Sequence, residues 1–435
     1  MTILILGAVI FSILLSAQAA YTIYLMIYTW DRPEAYKRAK APEEFLPPRK
    51  TFTVLLPARH EEDVIQDTIE RVVQISYPRE LVEAVVICEA GDTGTIAKAE
   101  EKIVEMRGRG IRHVGLVTFN DRPINKPHGL NKGYAQTKNE VITIFDSEDE
   151  IHPDILNIVN TVMVQEEVNV VQCGVQLMNY ETNWYSTLNV LEYFFWFKSR
   201  LHYHAKNGMI PLGGNTVFFT REVVDRLGGW DEKNLTEDAD MGIRISVMRE
   251  KVRVVYDDRY VTKEETPPTL NHFIRQRTRW NQGFLQTLKK GDWLELPTMD
   301  QKLLALYTLA FPFFQSLLGL YVPVSFWMMF NVKVPVLSAI ILLIPMYFLM
   351  AHYVVNVVGL YEFAEAHGLK PSLVMPVKML ISYMPYQLVL GFAAVRATVR
   401  ELRGINNWEK TAHVGAHRQG SVAAVGVNPN YGKGS

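Results

Sequence analysis

The feature that most restricts this chain is an uncharged run from Thr2 to Trp30. Twenty-nine such residues, as a helix, have the length needed to cross roughly 30 Å of hydrocarbon. Ala17-Gln18-Ala19 resembles a signal-peptidase site, but no Lys or Arg precedes the run, and it continues to the aromatic anchors Tyr28 and Trp30. The run is therefore read as a transmembrane helix over 1–31. Arg32, Lys37, Arg38, Lys40, Arg49 and Lys50 follow in a basic linker over 32–50, which puts that side of the membrane in the cytosol and the amino terminus outside.

Apolar character returns over Leu303–Asn331, Val334–Leu360 and Leu373–Val395, so residues 291–398 are read as transmembrane or interfacial helices. Pro376 and Pro385 interrupt the third block, which leaves it open as a span, a re-entrant segment or an interfacial helix. Three crossings would carry the tail outside, whereas Arg396, Arg400, Arg403, Lys410 and Arg418 hold it inside. The charges favour one block that does not fully cross. The tail, 399–435, ends in a Gly-, Ser- and Asn-rich stretch, Gln419–Ser435, expected to be disordered.

Between these ends lies a stretch of ordinary soluble composition, 51–290. A net charge of −1 and the lack of a basic stripe interleaved with aromatics argue against nucleic-acid binding. The two cysteines, Cys88 and Cys173, sit in apolar runs without metal-ligand spacing and read as buried, reduced thiols. Strands are predicted at Phe52–Leu56, Ala84–Cys88, Val114–Phe119 and Val141–Phe145, with helical spacing between them, as in Asp63–Gln74. This alternation implies an α/β, mostly parallel sheet, in which ligands bind beyond the carboxyl ends of the strands.

Those ends are acidic: Glu61-Glu62 after the first strand, Glu89 to Asp92 after the second, and Asp146-Ser147-Glu148-Asp149-Glu150 after the fourth. Carboxylates gathered at one sheet edge repel one another, and a divalent cation with hard oxygen ligands relieves that repulsion. Any one cluster alone reads equally well as a helix cap or solvated loop. Trp184–His204 predicts an aromatic helix, either core or membrane-surface, and Arg275 to Leu288 a second helix beside the bilayer. Leu212-Gly213-Gly214-Asn215-Thr216 reads either as a ligand-approach loop or as a tight turn. The apolar ends alone would also suit a transporter, but they lack intramembrane acid pairs and internal repeats.

Four motifs in order resemble glycosyltransferase family 2, the GT-A-fold group that includes the membrane-integrated, processive cellulose and hyaluronan synthases. Pro57-Ala58-Arg59-His60-Glu61 is similar to P-A-x-N-E, Asp146-Ser147-Glu148-Asp149 to D-x-D, Thr236-Glu237-Asp238 to T-E-D, and Gln276-Arg277-Thr278-Arg279-Trp280 to Q-x-x-R-W. Lys126 to Asn131 is similar to the K-x-x-A-L-N stretch near the donor. His60 replaces the usual Asn, and Glu148 stands where the second Asp of D-x-D is commonest.

The resemblance implies an inverting, metal-dependent hexosyltransferase of the plasma membrane with a cytosolic GT-A domain. Asp238, with Glu237, would supply the base; Pro57, Glu61, Glu89, Asp92, Lys126, Asp146, Gln276 and Arg279 would bind a nucleotide-sugar donor, expected to be a UDP-sugar. Asp146 with Glu148 or Asp149 would hold Mg²⁺ or Mn²⁺, and Trp280, Gly214 and Asn215 would meet the acceptor. The acceptor is expected to be a growing polysaccharide. A single-sugar transferase acting on a lipid-linked acceptor is the alternative within enzymes, and a catalytically silent nucleotide-sugar-binding subunit of a synthase complex is the alternative outside them. The few spans leave room for a homo-oligomer or an accessory subunit.

Overall fold

The computed structural model describes residues 2–409. The expected disordered segment Gln419–Ser435 and the basic residues Lys410 and Arg418 lie outside the described residues.

The predicted strands form as β1 (Phe52–Ala58), β2 (Val82–Glu89), β3 (Val114–Phe119) and β4 (Val141–Ile144), followed by β5 (Val170–Cys173), β6 (Val175–Leu177), β7 (Val217–Thr220), β8 (Val252–Val255) and β9 (Thr262–Glu264). Seven of them make one sheet in the order β3-β2-β1-β4-β7-β5-β8, and β6 pairs with β9. Only β7 runs antiparallel to its neighbours in the large sheet, so the mostly parallel sheet expected from the sequence is present with one inverted strand.

The parallel registers Ala58↔Cys88 and Leu55↔Ile144 bring the carboxyl ends of β1, β2 and β4 to one edge. Period-two alternation then sorts side chains between two cores. Phe52, Val54 and Leu56 face a core with Ile65, Ile69 and Val72 of the helix Ile65–Val73, while Leu55, Val85, Ile87 and Ile144 face a second core. That second core is continuous with Leu15, Met26, Phe363 and Tyr386 of the long helices. Cys88 and Cys173 are free and buried, and burial pushes both thiols up to about 12.

The aromatic stretch Trp184–His204 forms Ser186–Phe195, a π-helical turn Trp196–Arg200 and Leu201–Asn207. It is core rather than a surface helix: Leu188, Val190, Leu191, Phe194 and Leu201 are all buried. Gly359 on the helix Val336–Ala366 lets the two elements touch, since a Cβ there would stand 2.7 Å from the Phe195 ring.

Three helices, Ile5–Asp31, Val336–Ala366 and Met375–Leu402, are long and apolar enough to cross a membrane, and Met299–Leu317 with Tyr321–Asn331 forms a pair bent by 41°. The bend comes one turn before Pro323, which removes a backbone donor and crowds the preceding turn. The third carboxy-terminal block, left open by its prolines as a span, a re-entrant segment or an interfacial helix, is a single 28-residue helix: Pro376 occupies the first turn, where no helical N–H is lost, and Pro385 is accommodated within it.

Both ends of that helix meet the α/β layer. Thr187 Oγ1 donates to Met375 Sδ at 3.6 Å, and the other end is held by a Lys289–Glu401 ion pair at 2.6 Å and by Gln282 Nε2 donating to the Ile405 carbonyl at 2.8 Å. It runs alongside the helix Leu270–Lys290, burying Met379, Tyr383, Tyr386, Leu390, Ala394 and Ala397 at helical spacing. Its opposite face is an exposed apolar stripe through Val377, Ile381, Leu388, Phe392, Val395 and Leu402.

Candidate active site

A cavity of about 420 Å³ opens where the acidic sheet edge meets the helices Glu237–Val247, Ser186–Asn207 and Leu270–Lys290. Of the residues singled out in the sequence, Pro57, Glu61, Glu89, Lys126, Asp146, Glu148, Gly214, Asn215, Glu237, Asp238, Gln276, Arg279 and Trp280 all line it. Positions 57 to 280 thus converge on one space.

Each is placed by local structure. Asn125 caps the helix Lys126–Ala135, its side chain accepting from the His128 N–H at 3.0 Å, and this sets Lys126 in the first turn. Lys126 Nζ donates to Asp146 Oδ1 at 2.6 Å and to the Gly214 carbonyl at 3.2 Å. Burial disfavours its charge, but Asp146, Glu237 and Asp238 outweigh that and hold the ammonium above its usual range.

Glu237 and Asp238 open their helix, Asp238 Oδ1 accepting from the Ala239 N–H at 2.8 Å. Burial raises Glu237 to about 7, with Asp238 adding to the effect against Lys126 and Arg279. Asp238 is likewise raised by burial, opposed by the Ala239 N–H, Lys126 and Arg279. Gly214 sits directly opposite, where a Cβ would stand 3.1 Å from Asp238 Oδ2. The glycine thus lets this wall approach Asp238 closely.

Gln276, Arg279 and Trp280 fall at i, i+3 and i+4 and share a helix face. Gln276 Oε1 and Arg279 Nε are buried without a hydrogen-bond partner, and Arg279 stacks on Trp408 at 4.5 Å from the ring centroid. Arg277 stacks on Trp280 at 4.6 Å and pairs with Glu192 at 2.5 Å.

Two expected site residues do not line the cavity. Asp92 is buried as the cap of the helix Thr93–Gly108, accepting from the Thr95 N–H and from the His60 N–H at 2.6 Å. Burial works against its charge, but these donors hold the carboxyl below its usual range. Asp149 is fully buried behind Asp146, accepting from the Asp146 N–H at 2.8 Å and from Asn215 Nδ2 at 3.0 Å. Burial and the neighbouring Glu264, Asp146 and Glu148 raise its carboxyl well above the ordinary range. It braces the D-x-D-like turn, leaving Asp146 and Glu148 as the members that face the cavity. Outside the lining, His60, Glu62 and Asp92 bring ligand atoms within 4.8 Å of one another, a group able to hold a metal ion.

Residues that sequence reasoning missed include Tyr193, Arg200, Glu264 and Trp408. Trp408 was legible in principle, as a lone large aromatic in the polar run Asn406-Asn407-Trp408-Glu409, because such a ring rarely stays in water. Glu409 anchors it through Arg396 at 2.7 Å and Arg400 at 3.0 Å.

Comparison with known proteins agrees with this geometry. The sequence model "Glycosyltransferase like family 2" matches residues 47–283, more than half of the chain. Among curated relatives, the probable glycosyltransferase YdaM of Bacillus subtilis is 26% identical over 247 residues, 53% of this chain and 54% of that protein. The beta-monoglucosyldiacylglycerol synthase of Trichormus variabilis is 26% identical, covering 54% of this chain and 49% of its own length. The poly-beta-1,6-N-acetyl-D-glucosamine synthase of Staphylococcus epidermidis is 22% identical, covering 62% and 63%. The chain thus spans roughly half to two thirds of the length of these relatives. Among solved structures, the mannosyltransferase PcManGT of Pyrobaculum calidifontis, in complex with GDP-Man and Mn²⁺, shares the fold with a TM-score of 0.54 at 19% identity, covering 91% of this chain and 99% of that one. The chain belongs to glycosyltransferase-like family 2, and its catalytic layer has the GT-A-like fold.

Proposed function

We propose that the protein is an inverting, metal-dependent glycosyltransferase that moves a sugar from a nucleotide-diphosphate donor, a UDP-sugar in the first instance, to an acceptor presented at the membrane face. The carrying observation is that Asp146, Glu148, Asp238 and Arg279 line one cavity although they are far apart in sequence. In this reading Asp238 takes the proton of the acceptor hydroxyl as its oxygen attacks the anomeric carbon. The bond from that carbon to the diphosphate breaks on the opposite face, inverting the centre. Arg279, whose Nε is buried without a partner, and Gln276, through its amide N–H, would take up the departing diphosphate, and Trp280 would stack on the acceptor sugar. Asp146 and Glu148 present hard oxygen donors suited to Mg²⁺ or Mn²⁺, which when bound would neutralise charge on the diphosphate.

The residues 1–31 and the two helical segments within 299–366 would cross the membrane, and the helix Met375–Leu402 would lie flat on the cytosolic leaflet with its apolar stripe in lipid. That arrangement returns Arg396, Arg400 and Arg403 to the catalytic side, in keeping with the positive-inside rule. Extension of a polysaccharide and transfer of a single sugar to a lipid-linked acceptor both fit a cavity whose wall reaches Phe311, Gln315, His352 and Gln387 of the apolar helices.

The test supplies purified full-length protein in detergent with Mg²⁺ or Mn²⁺ and a panel of nucleotide sugars, and measures released nucleoside diphosphate. Turnover with one or two donors is expected, abolished by a chelator. Equal turnover in Asp238→Asn would remove the proposed base.

A further inference from the structure

Glu61, Glu89, Asp146 and Glu148 gather at the sheet edge with Arg59 and Lys126 beside them, Asp238 joins them from the start of its helix, and three helix-borne arginines, Arg200, Arg277 and Arg279, face that edge. Two of these arginines are accounted for: Arg277 is paired with Glu192 at 2.5 Å and donates also to Asn189, and Arg279 faces the acids and is stacked by Trp408. Arg200 is not. Among the described residues it forms no ion pair, its Nε is buried without a partner, and Glu192, the carboxylate that most affects it, is committed to Arg277. Its guanidinium rests on the Phe311 ring at 5.4 Å, at the membrane-side wall where Phe311, Gln315, His352 and Asn356 join the lining.

The backbone that presents it is unusual. Arg200 closes the π-helical turn Trp196–Arg200, and Trp196, Phe197 and Arg200 all line the cavity. Single π turns cost helix stability and recur at functional sites because they re-aim side chains. Arg200 lies two turns beyond Glu192 and Tyr193, which adjoin Arg277 and Trp280, so it stands roughly 10 Å along the helix from that pair. The donor end of the cavity lies at Asp146 and Asp238, so the unpaired guanidinium faces the far portion of whatever occupies the acceptor side.

We propose that Arg200, aimed by this π turn, binds the phosphate of a lipid-linked acceptor whose apolar part lies among the membrane helices. An uncompensated guanidinium fork matches a phosphate's oxygens, and its place at the junction of the catalytic layer with apolar helices is where a lipid headgroup sits. The inference rests on the reading that this cavity holds donor and acceptor together.

Full-length protein in nanodiscs of phosphatidylcholine is titrated with a polyprenyl phosphate and with its matching uncharged polyprenol, binding being followed by tryptophan fluorescence. The phosphate form is expected to bind roughly ten- to a hundredfold more tightly. Arg200→Gln removes that preference and Arg200→Lys, a point charge without the fork, keeps part of it. Melting temperature and gel-filtration elution establish that each variant is folded; should Arg200→Gln fail to fold, a reduced preference in Arg200→Lys decides. Equal binding of both lipids by the wild type, or a preference intact in the variants, overturns the proposal. Displacement by inorganic phosphate at the same concentration as the lipid overturns the lipid assignment, as does displacement by a uronic-acid oligosaccharide, which would make the ligand an acidic glycan. Calorimetric titration of the wild type with UDP separates the two levels. Nucleotide binding without lipid discrimination sinks only this inference, and absence of nucleotide binding sinks the reading beneath it.

Discussion

Gly283→Ala tests whether the helix carrying Arg279 is seated on Thr236, the residue that leads into the helix carrying Asp238. An added Cβ would stand 2.6 Å from the Thr236 backbone nitrogen and 2.7 Å from its Cγ2, where ordinary contact begins at 3.4 Å. Backbone cannot swing aside, so the helix Leu270–Lys290 and Thr236 must part by roughly 0.8 Å. Overpacking of this kind costs about 1–3 kcal/mol, whereas alanine for glycine in an unhindered helix gains about 0.5–1 kcal/mol. The sign of the stability change therefore reports the contact. Gly108→Ala, in a helix where nothing lies within 4 Å, is the matched control and should be neutral or stabilising. Since a displacement near 1 Å costs on the order of a hundredfold in a positioned reaction, kcat for nucleoside diphosphate release should fall about 30- to 100-fold. Thermal melts and steady-state rates measured side by side give both numbers. A Gly283→Ala protein as stable and as active as the wild type would refute the seating of these two elements.

Asp238→Asn should lower nucleoside diphosphate release by roughly 10²–10⁴-fold at saturating donor, and a smaller loss argues for another base. Because burial raises Asp238, the ionised base is lost at a pH above the ordinary range of an aspartate, and kcat/KM should decline on the acid side from there; an acid limb at the ordinary aspartate value contradicts this. The linked stability runs the other way: Glu237 takes up a proton on folding, so its contribution is full below its ordinary 4.5 and is lost as pH rises through about 7, and Glu237→Gln should flatten that part of the melting profile. Trp408→Ala removes the face on which Arg279 rests and should raise the donor KM about 2- to 30-fold, read from initial rates; an unchanged KM would make the stacking incidental. Cysteines placed at Val374 and Leu402 should both react with an impermeant maleimide from the catalytic side of sealed vesicles, Cys88 and Cys173 being buried; labelling from opposite sides would make the helix a span.

The acidic strand ends were legible because a parallel sheet obliges residues that follow its strands to share an edge, and Asp146 and Glu89 line the cavity for that reason. The separation of Asp146 and Glu148 from Asp149 was not, because it depends on a turn in which the Asp149 carboxylate folds back onto the Asp146 N–H. Asp92 likewise reads as a site acid in one dimension and as a helix cap in three. Apolar length could not reveal that Met375–Leu402 runs beside Leu270–Lys290, since the deciding contacts, Tyr386 against Phe273 and Glu401 against Lys289, join residues more than a hundred positions apart. The π turn leaves no compositional trace, so nothing in the sequence singles out Arg200.

In the proposed arrangement, the pairing of Met375–Leu402 with Leu270–Lys290 ties Arg279, the arginine assigned to the leaving group, to an element that lies on the leaflet. Curvature, lateral pressure and acyl composition then act directly on the spacing of the reacting groups. An enzyme stripped of lipid would slow while its sheet stayed intact, and turnover restored by vesicles would measure how firmly that leaflet holds the helix down.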